Sequence, residues 1–275
     1  WLTELYDRMG LNGSSAGSAV ALAFECYERG LLTREDTDGL ELCWGNAEAA
    51  AALVKKLATR EGFGQVLADG PKKAAERIGG EAPNYAVHIK GAGFNLHDWR
   101  GRYAKILEQT VAGAGPRHEG MAADAFSPTP SKIEGAAETV ARTQRSKLFK
   151  DSVGVCMFMW AGGPNVATET SALAAVTGWQ GLAEEEMLAV GSRVANMERI
   201  FNMAHGLTIA DDLDISPRFL EPPAEGPAKG HTIAPYLKDA VMEYYRLMGW
   251  EPETGRPRGE TLARLGLEHL AGQLP

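Results

Sequence analysis

Helix after helix, each with its own start and stop signal, leaves this chain little choice of fold. From Ser14 to Gly30 the middle reads Ala-Val-Ala-Leu-Ala-Phe and is apolar on nearly every side. That pattern predicts a buried helix, capped at Ser14 or Ser15 and ended by Gly30. Glu25 lies inside it. A carboxylate there needs a partner or a ligand unless it sits on a solvated edge. Asn46 caps an alanine-rich helix through Arg60, closed by Gly62. Gly64 to Gly79 reads as another, with Pro71 forcing a break or a late start near Asp69. Further helices are predicted over 131–149, 168–176, 183–206 and 238–248. Tyr85 to Gly91 is the one short strand pattern. The prolines from Pro217 to Pro235 predict an extended surface segment. The expected fold class is therefore mainly α, an irregular set of helices with minor strand content. We divide it into two helical domains, 1–125 and 126–275.

Each domain carries one copy of a short motif. The stretch from Lys150 to Trp160 is apolar except for Lys150, Asp151 and Ser152 at its start and the thiol of Cys156, with Gly154 between acid and thiol. Asp7-Arg-Met-Gly10-Leu11-Asn12 echoes it, and both copies read Asp-x-x-Gly-(Leu or Val)-x, with Val155 in the second. Glycine lets backbone approach a ligand or turn at positive φ. Aspartate accepts hydrogen bonds from ligand N–H groups, and a cysteine thiolate can ligate a metal or cluster. Two such loops could grip the halves of a pseudo-symmetric ligand. The competing reading is plain: Asp-x-x-Gly also ends helices, and a cysteine in an apolar run is usually a small core residue. Two glycine-rich stretches, Gly93 to Gly101 and Ala112 to Gly120, gather His97, Asp98, Arg100, Arg117 and His118, as binding loops tend to.

Composition narrows the function classes. The formal net charge of -8 is not that of a general nucleic-acid binder. No apolar run reaches the length of a membrane span, and no basic-then-apolar leader opens the chain. Cys26, Cys43 and Cys156 are too few and scattered for a disulfide framework, so a reducing cytoplasm is expected. The opening at Trp1, amid structured sequence, reads as a piece of a longer polypeptide.

Several stretches together resemble the C-terminal two-thirds of the tungsten-dependent aldehyde:ferredoxin oxidoreductase family. They are Glu25-Cys-Tyr-Glu-Arg-Gly30, Trp44-Gly-Asn-Ala-Glu48, Arg60-Glu-Gly-Phe-Gly64, Asn202, Asp211-Asp212, Pro217 to Pro227 and Glu243 to Gly255. The resemblance spans nearly the whole chain. It implies a tungsten (or molybdenum) bis-pterin cofactor beside a 4Fe-4S cluster, with one pterin on each Asp-x-x-Gly loop. Asp7, Gly10, Leu11 and Asn12 would then hold one pterin and Asp151, Gly154 and Val155 the other. Asn12 stands where an acid is more common. Cys156 would be the fourth cluster ligand. His118 lies at the interval of the family's active-site histidine from a loop matched by Asp98-Trp-Arg-Gly101, with Trp99 in place of proline. As an imidazole it can exchange a proton near neutral pH; the alternative is a structural histidine bonded to Glu119 or backbone. His205 replaces a family acid before Gly206.

Two parts of the family pattern are absent from this sequence: a Cys-x-x-Cys-x-x-x-Cys segment and an N-terminal β domain. The implied function is the C-terminal part of an oxidoreductase converting aldehydes to carboxylic acids with ferredoxin as electron acceptor. The runner-up is an aryl-CoA (benzoyl-CoA type) reductase subunit. A third reading is a non-catalytic helical module docked to a cofactor-bearing chain. The implied partners are the β domain or a chain with the other cluster ligands, ferredoxin or an electron-transfer subunit, and an aldehyde or acyl-CoA. Nucleic acid and membrane are not among them, and a homo-oligomer is left open.

Overall fold

The computed structural model describes residues 1–94, 97–113, 115–116, 130–156 and 166–274. In chain order the first elements are α1 (Leu2–Arg8), α2 (Gly13–Glu28), α3 (Ala47–Thr59), α4 (Gly64–Leu67), α5 (Pro71–Ile78), α6 (Ala82–Tyr85), β1 (His88–Ile89) and β2 (Ala92–Gly93). Then follow α7 (Tyr103–Val111), α8 (Ala136–Ser152), α9 (Val166–Thr177), α10 (Glu184–Ala204), α11 (Ile209–Asp212), α12 (Pro217–Leu220), α13 (Leu237–Met248) and α14 (Gly259–Leu265). The architecture is mainly helical, as expected. Among the described residues no helix is long and apolar enough to cross a membrane.

The chain forms two compact units, Trp1–Asp98 with Asp214–Glu221, and Trp99–Leu213 with Pro222–Pro275. A return segment of eight residues, 214–221, thus belongs to the first unit. That segment is tied in by backbone. Lys90 N–H donates to Asp214 O at 2.7 Å and Ser216 N–H to the His88 carbonyl at 2.9 Å. Lys72 pairs with Asp214 at 2.9 Å, and Phe94 meets Phe219 edge-on. Pairing to a segment 125 residues downstream leaves no local sequence signal.

In the first unit Leu22, Ala23, Phe24, Leu53, Val54 and Leu67 form a closed core. Asn46 caps α3 as expected, its side chain accepting the Ala49 N–H at 3.0 Å. The break at Pro71 is real: Gly70 adopts φ +93° and Pro71 opens α5. The predicted strand is shorter than expected, because Pro83 near the start of α6 takes Tyr85 into a helical turn. What remains is a two-residue hairpin, His88 opposite Gly93, turned by Lys90 and Gly91 at φ +53° and +75°. Positive φ at both central positions suits the right-handed twist of the strands. Glu25 has partners: Arg218 Nη2 at 2.6 Å and Arg29 Nε at 2.9 Å share its Oε1. The Pro217 segment is not wholly extended, because Ser216 caps α12 and proline fits its first turn.

In the second unit α8 packs against α7, α10 and α13. Every residue of α7 is buried, including Lys105 and Glu108, which pair with each other. A second buried network joins α10, α11 and α13. Arg199 Nη1 lies 2.5 Å from Asp212 Oδ2, and the Tyr245 hydroxyl donates to the same oxygen. The family-like tail motifs around Asp212, Tyr245 and Gly255 are thus internal scaffolding.

Candidate functional site

The two Asp-x-x-Gly motifs have one backbone geometry. In the first, α1 ends at Arg8, Gly10 takes φ +67°, and two hydrogen bonds close the turn. Gly10 N–H donates to Asp7 O at 3.2 Å and Leu11 N–H to Tyr6 O at 3.0 Å. In the second, α8 ends at Ser152 and Gly154 takes φ +79°. Gly154 N–H donates to Asp151 O at 3.1 Å and Val155 N–H to Lys150 O at 3.1 Å. These 5→2 and 6→1 bonds define the Schellman helix end, with glycine at the left-handed position and Leu or Val after it. So the helix-end reading of the motif holds for the backbone of both copies. It does not compete with a ligand role, because the turn leaves the aspartates outside the packing.

Asp7 and Asp151 are both exposed. Among the described residues the Asp7 carboxylate has no hydrogen bond or ion pair; the neighbouring Arg8 pairs with Glu4 instead. Asp151 pairs with Lys147 one turn back on α8. Among the described residues, a Cβ built on Gly10 or Gly154 meets no atom within 4 Å. Cys156 is exposed. Cys26 cannot stand in as a ligand: it is buried, and burial first and then Glu25 push its thiol up to about 11. Among the described residues no three His, Cys, Asp or Glu side chains come together to hold a metal ion. Taken singly, each turn offers an exposed carboxylate acceptor, and the second is followed by an exposed thiol.

Asn12 has a local task. Its side chain caps α2, accepting the Ser15 N–H at 2.9 Å, so the cap sits two residues earlier than Ser14. Asn12→Ala should cost about 1 kcal/mol of stability, read as a lower denaturant midpoint. Asn12→Asp should keep the cap, and a loss equal to that of alanine would show the cap contributes nothing.

His118 lies outside the described residues. The loop before it is partly described: Trp99 is buried, and Lys105 Nζ stands 5.7 Å from its ring centre. Gly101 has φ +80°, and a Cβ there would meet Ala228 Cβ at 2.6 Å. His205 follows α10 and donates from Nδ1 to Phe201 O at 2.7 Å, a local cap. An apolar recess of about 270 Å³ between α1, α2 and α3 has Asn46 as its one polar side chain and offers no acid–base group. Sequence reasoning passed over one pair beside the second turn. Lys150 and Glu169 lie 2.9 Å apart, both buried.

The family model "Aldehyde ferredoxin oxidoreductase, domains 2 & 3" matches residues 1–267. The chain belongs to the aldehyde ferredoxin oxidoreductase family. Similar members include the tungsten-containing aldehyde ferredoxin oxidoreductase of Pyrococcus furiosus, 34% identical over 96% of this chain and 44% of that protein. An aliphatic sulfonate oxidoreductase, WOR-like subunit, of the same organism is 33% identical over 97% of this chain and 42% of that one. The chain therefore spans less than half the length of these relatives, not the two-thirds that the sequence resemblance implies. Among solved structures, the active-site complex BamBC of benzoyl coenzyme A reductase with 1,5-dienoyl-CoA shares the fold. Its TM-score is 0.67 at 24% identity, over 96% of this chain and 45% of that one.

Proposed function

We propose that this chain is the helical, cofactor-gripping part of a tungsten bis-pterin, iron–sulfur oxidoreductase that converts aldehydes to carboxylic acids. The observation that carries the reading is the pair of identical Schellman turns, each presenting an aspartate to solvent, the second leading to an exposed cysteine. Asp7 and Asp151 would each accept N–H groups of one pterin, and Gly10 and Gly154 keep the space over the turns clear. Leu11 and Val155, half-buried, lock the turns to their helices. Asn12 acts through the α2 cap and stiffens the first turn. Cys156 would supply one thiolate to a 4Fe-4S cluster. Three cysteines cannot make four ligands, so the remaining thiolates come from residues other than these, on the same polypeptide or a partner chain. When bound, the tungsten centre would supply the two-electron chemistry and the cluster the path to ferredoxin or another electron-transfer subunit. His118 would hold or release a proton next to the substrate, since an unperturbed imidazole exchanges one near pH 6.5.

The experiment is a variant series in the full-length, cofactor-loaded enzyme. Asp7→Ala and Asp151→Ala should lower pterin and tungsten per chain. Cys156→Ser should lose or convert the cluster, seen in iron content and electron paramagnetic resonance. His118→Asn should abolish aldehyde oxidation with both cofactors retained. Wild-type pterin and iron contents in the first three variants would reject the reading. The fold shared with the benzoyl coenzyme A reductase complex supports a second reading, a reductase subunit acting on an acyl-CoA. Turnover of aryl-CoA and none of aldehydes would select it.

A further inference from the structure

The end of α8, just before the Asp151 turn and Cys156, is tied to α9 by charge. Lys150, the residue before Asp151, pairs with Glu169 on α9 at 2.9 Å, and their side chains are 6% and 2% exposed. Neighbouring Phe149 and Val166 belong to an apolar cluster with Met187. The pair is therefore weakly screened, and its field reaches further than that of a surface pair. It is also incompletely satisfied. Among the described residues, Glu169 Oε1 meets only the Lys150 ammonium and Oε2 has no hydrogen-bond partner. A buried carboxylate left so is costly, and replacing such pairs by apolar residues often raises stability. Stability is thus a poor reason for the pair to exist.

Its position offers a better one. The Lys150 carbonyl accepts the Val155 N–H at 3.1 Å, so Lys150 is one hydrogen bond from the residue before Cys156. The first turn has nothing equivalent: Tyr6 is the residue before Asp7, and Asn12 stands at the position matching Cys156. The pair accompanies the thiol, not the turn.

We infer that Lys150 and Glu169 form a charge-setting and positioning pair for a redox group bound at Cys156. This rests on the cluster reading above. A reduced iron–sulfur cluster carries one more negative charge than the oxidised one. A nearby ammonium favours that electron and a nearby carboxylate opposes it. The two members therefore pull the electron affinity in opposite directions while jointly tying the end of α8 to α9. A pair that only tied the two helices would make both single variants fail in the same way.

The test is redox titration of the cluster in the full-length, cofactor-loaded enzyme, with iron and acid-labile sulfide measured on every sample. Glu169→Gln removes one negative charge beside the ammonium and should raise the potential. Lys150→Met leaves the carboxylate unbalanced and should lower it. Each change should be roughly tenfold in the one-electron equilibrium, ~59 mV. The double variant, Lys150→Met with Glu169→Gln, should return toward wild type, and Lys150→Arg should stay there. Potentials unchanged with the cluster intact, or both single variants shifting the same way, would overturn the inference. If a single variant does not fold, the double variant and Lys150→Arg decide it: a cluster-bearing double variant displaced from wild type as far as either single charge requires would refute it. Cys156→Ser in parallel separates the two claims, since a cluster that survives it rejects the cluster reading rather than the pair's role.

Discussion

Removing the Asp212 carboxylate should destabilise the protein by about 3–5 kcal/mol, the usual cost of stranding one member of a buried ion pair. Asp212 is wholly buried, and Arg199 beside it is nearly so. The guanidinium is fixed on every side. Nη1 meets Asp212 at 2.5 Å, Nε donates to the Gly255 carbonyl at 2.9 Å, and Nη2 donates to the Tyr245 hydroxyl at 3.2 Å. Its Cζ lies 5.0 and 5.1 Å from the ring centres of Tyr245 and Trp250. Burial first, then the Asp212 charge, hold the Tyr245 phenol far above its ordinary range, so it remains a donor to Asp212. Asp212→Ala removes the one negative charge in contact with this guanidinium among the described residues and leaves it buried. The denaturant midpoint of the full-length protein should fall accordingly. Asp212→Asn should recover part of the loss, because a neutral acceptor remains. The double replacement Arg199→Met with Asp212→Leu should lose less than Asp212→Ala alone, since an apolar pair leaves no stranded charge. A midpoint unchanged in Asp212→Ala would show that the network contributes nothing to stability.

That network also marks how far the sequence can be read. Asp212, Tyr245, Trp250 and Gly255 were visible as family-like residues, yet nothing local in them names Arg199 as their centre. Arg199 sits 13 residues from Asp212 and 56 from Gly255. Gly255 explains itself only in three dimensions: a Cβ there would lie 2.0 Å from Arg199 Nη2. Where the signal was local it read correctly, as at the Asn46 cap and the Gly70–Pro71 break. Helix α7 was missed because a helix buried on all sides shows no periodic face, and Lys105 and Glu108 within it imitate a surface. The exposed aspartates and cysteine of the two turns were legible as a pattern. Their shared backbone geometry was not, nor was the buried pair beneath the second one. A lysine and a glutamate 19 positions apart look like two solvated charges until the fold brings them together.

Gly191→Ala should loosen the helix that ends in the Asp151 turn. Gly191 lies inside α10, where glycine costs about 1 kcal/mol against alanine on propensity alone. The reason for bearing that cost is the crossing with α8. A Cβ at Gly191 would lie 1.8 Å from the Arg145 carbonyl oxygen and 2.7 Å from its carbon. These are backbone atoms, so no side chain can swing aside; the helices themselves must separate. Overpacking of this kind costs about 1–3 kcal/mol, and here it should exceed the propensity gained, giving a net loss of stability in a denaturant titration. Gly259→Ala is the control. It opens α14 and a Cβ there meets nothing within 4 Å, so its effect should stay within about 0.5 kcal/mol. A second readout ties the packing to the site. Residues 145 to 151 of α8 carry the strain toward Lys150 and Asp151, six positions on from the clash at most. On the cofactor reading proposed above, full-length Gly191→Ala should also purify with less iron and tungsten per chain than Gly259→Ala. Equal stability and equal metal content in the two variants would show that α8 and α10 have room to spare, and that the Asp151 turn does not depend on their contact.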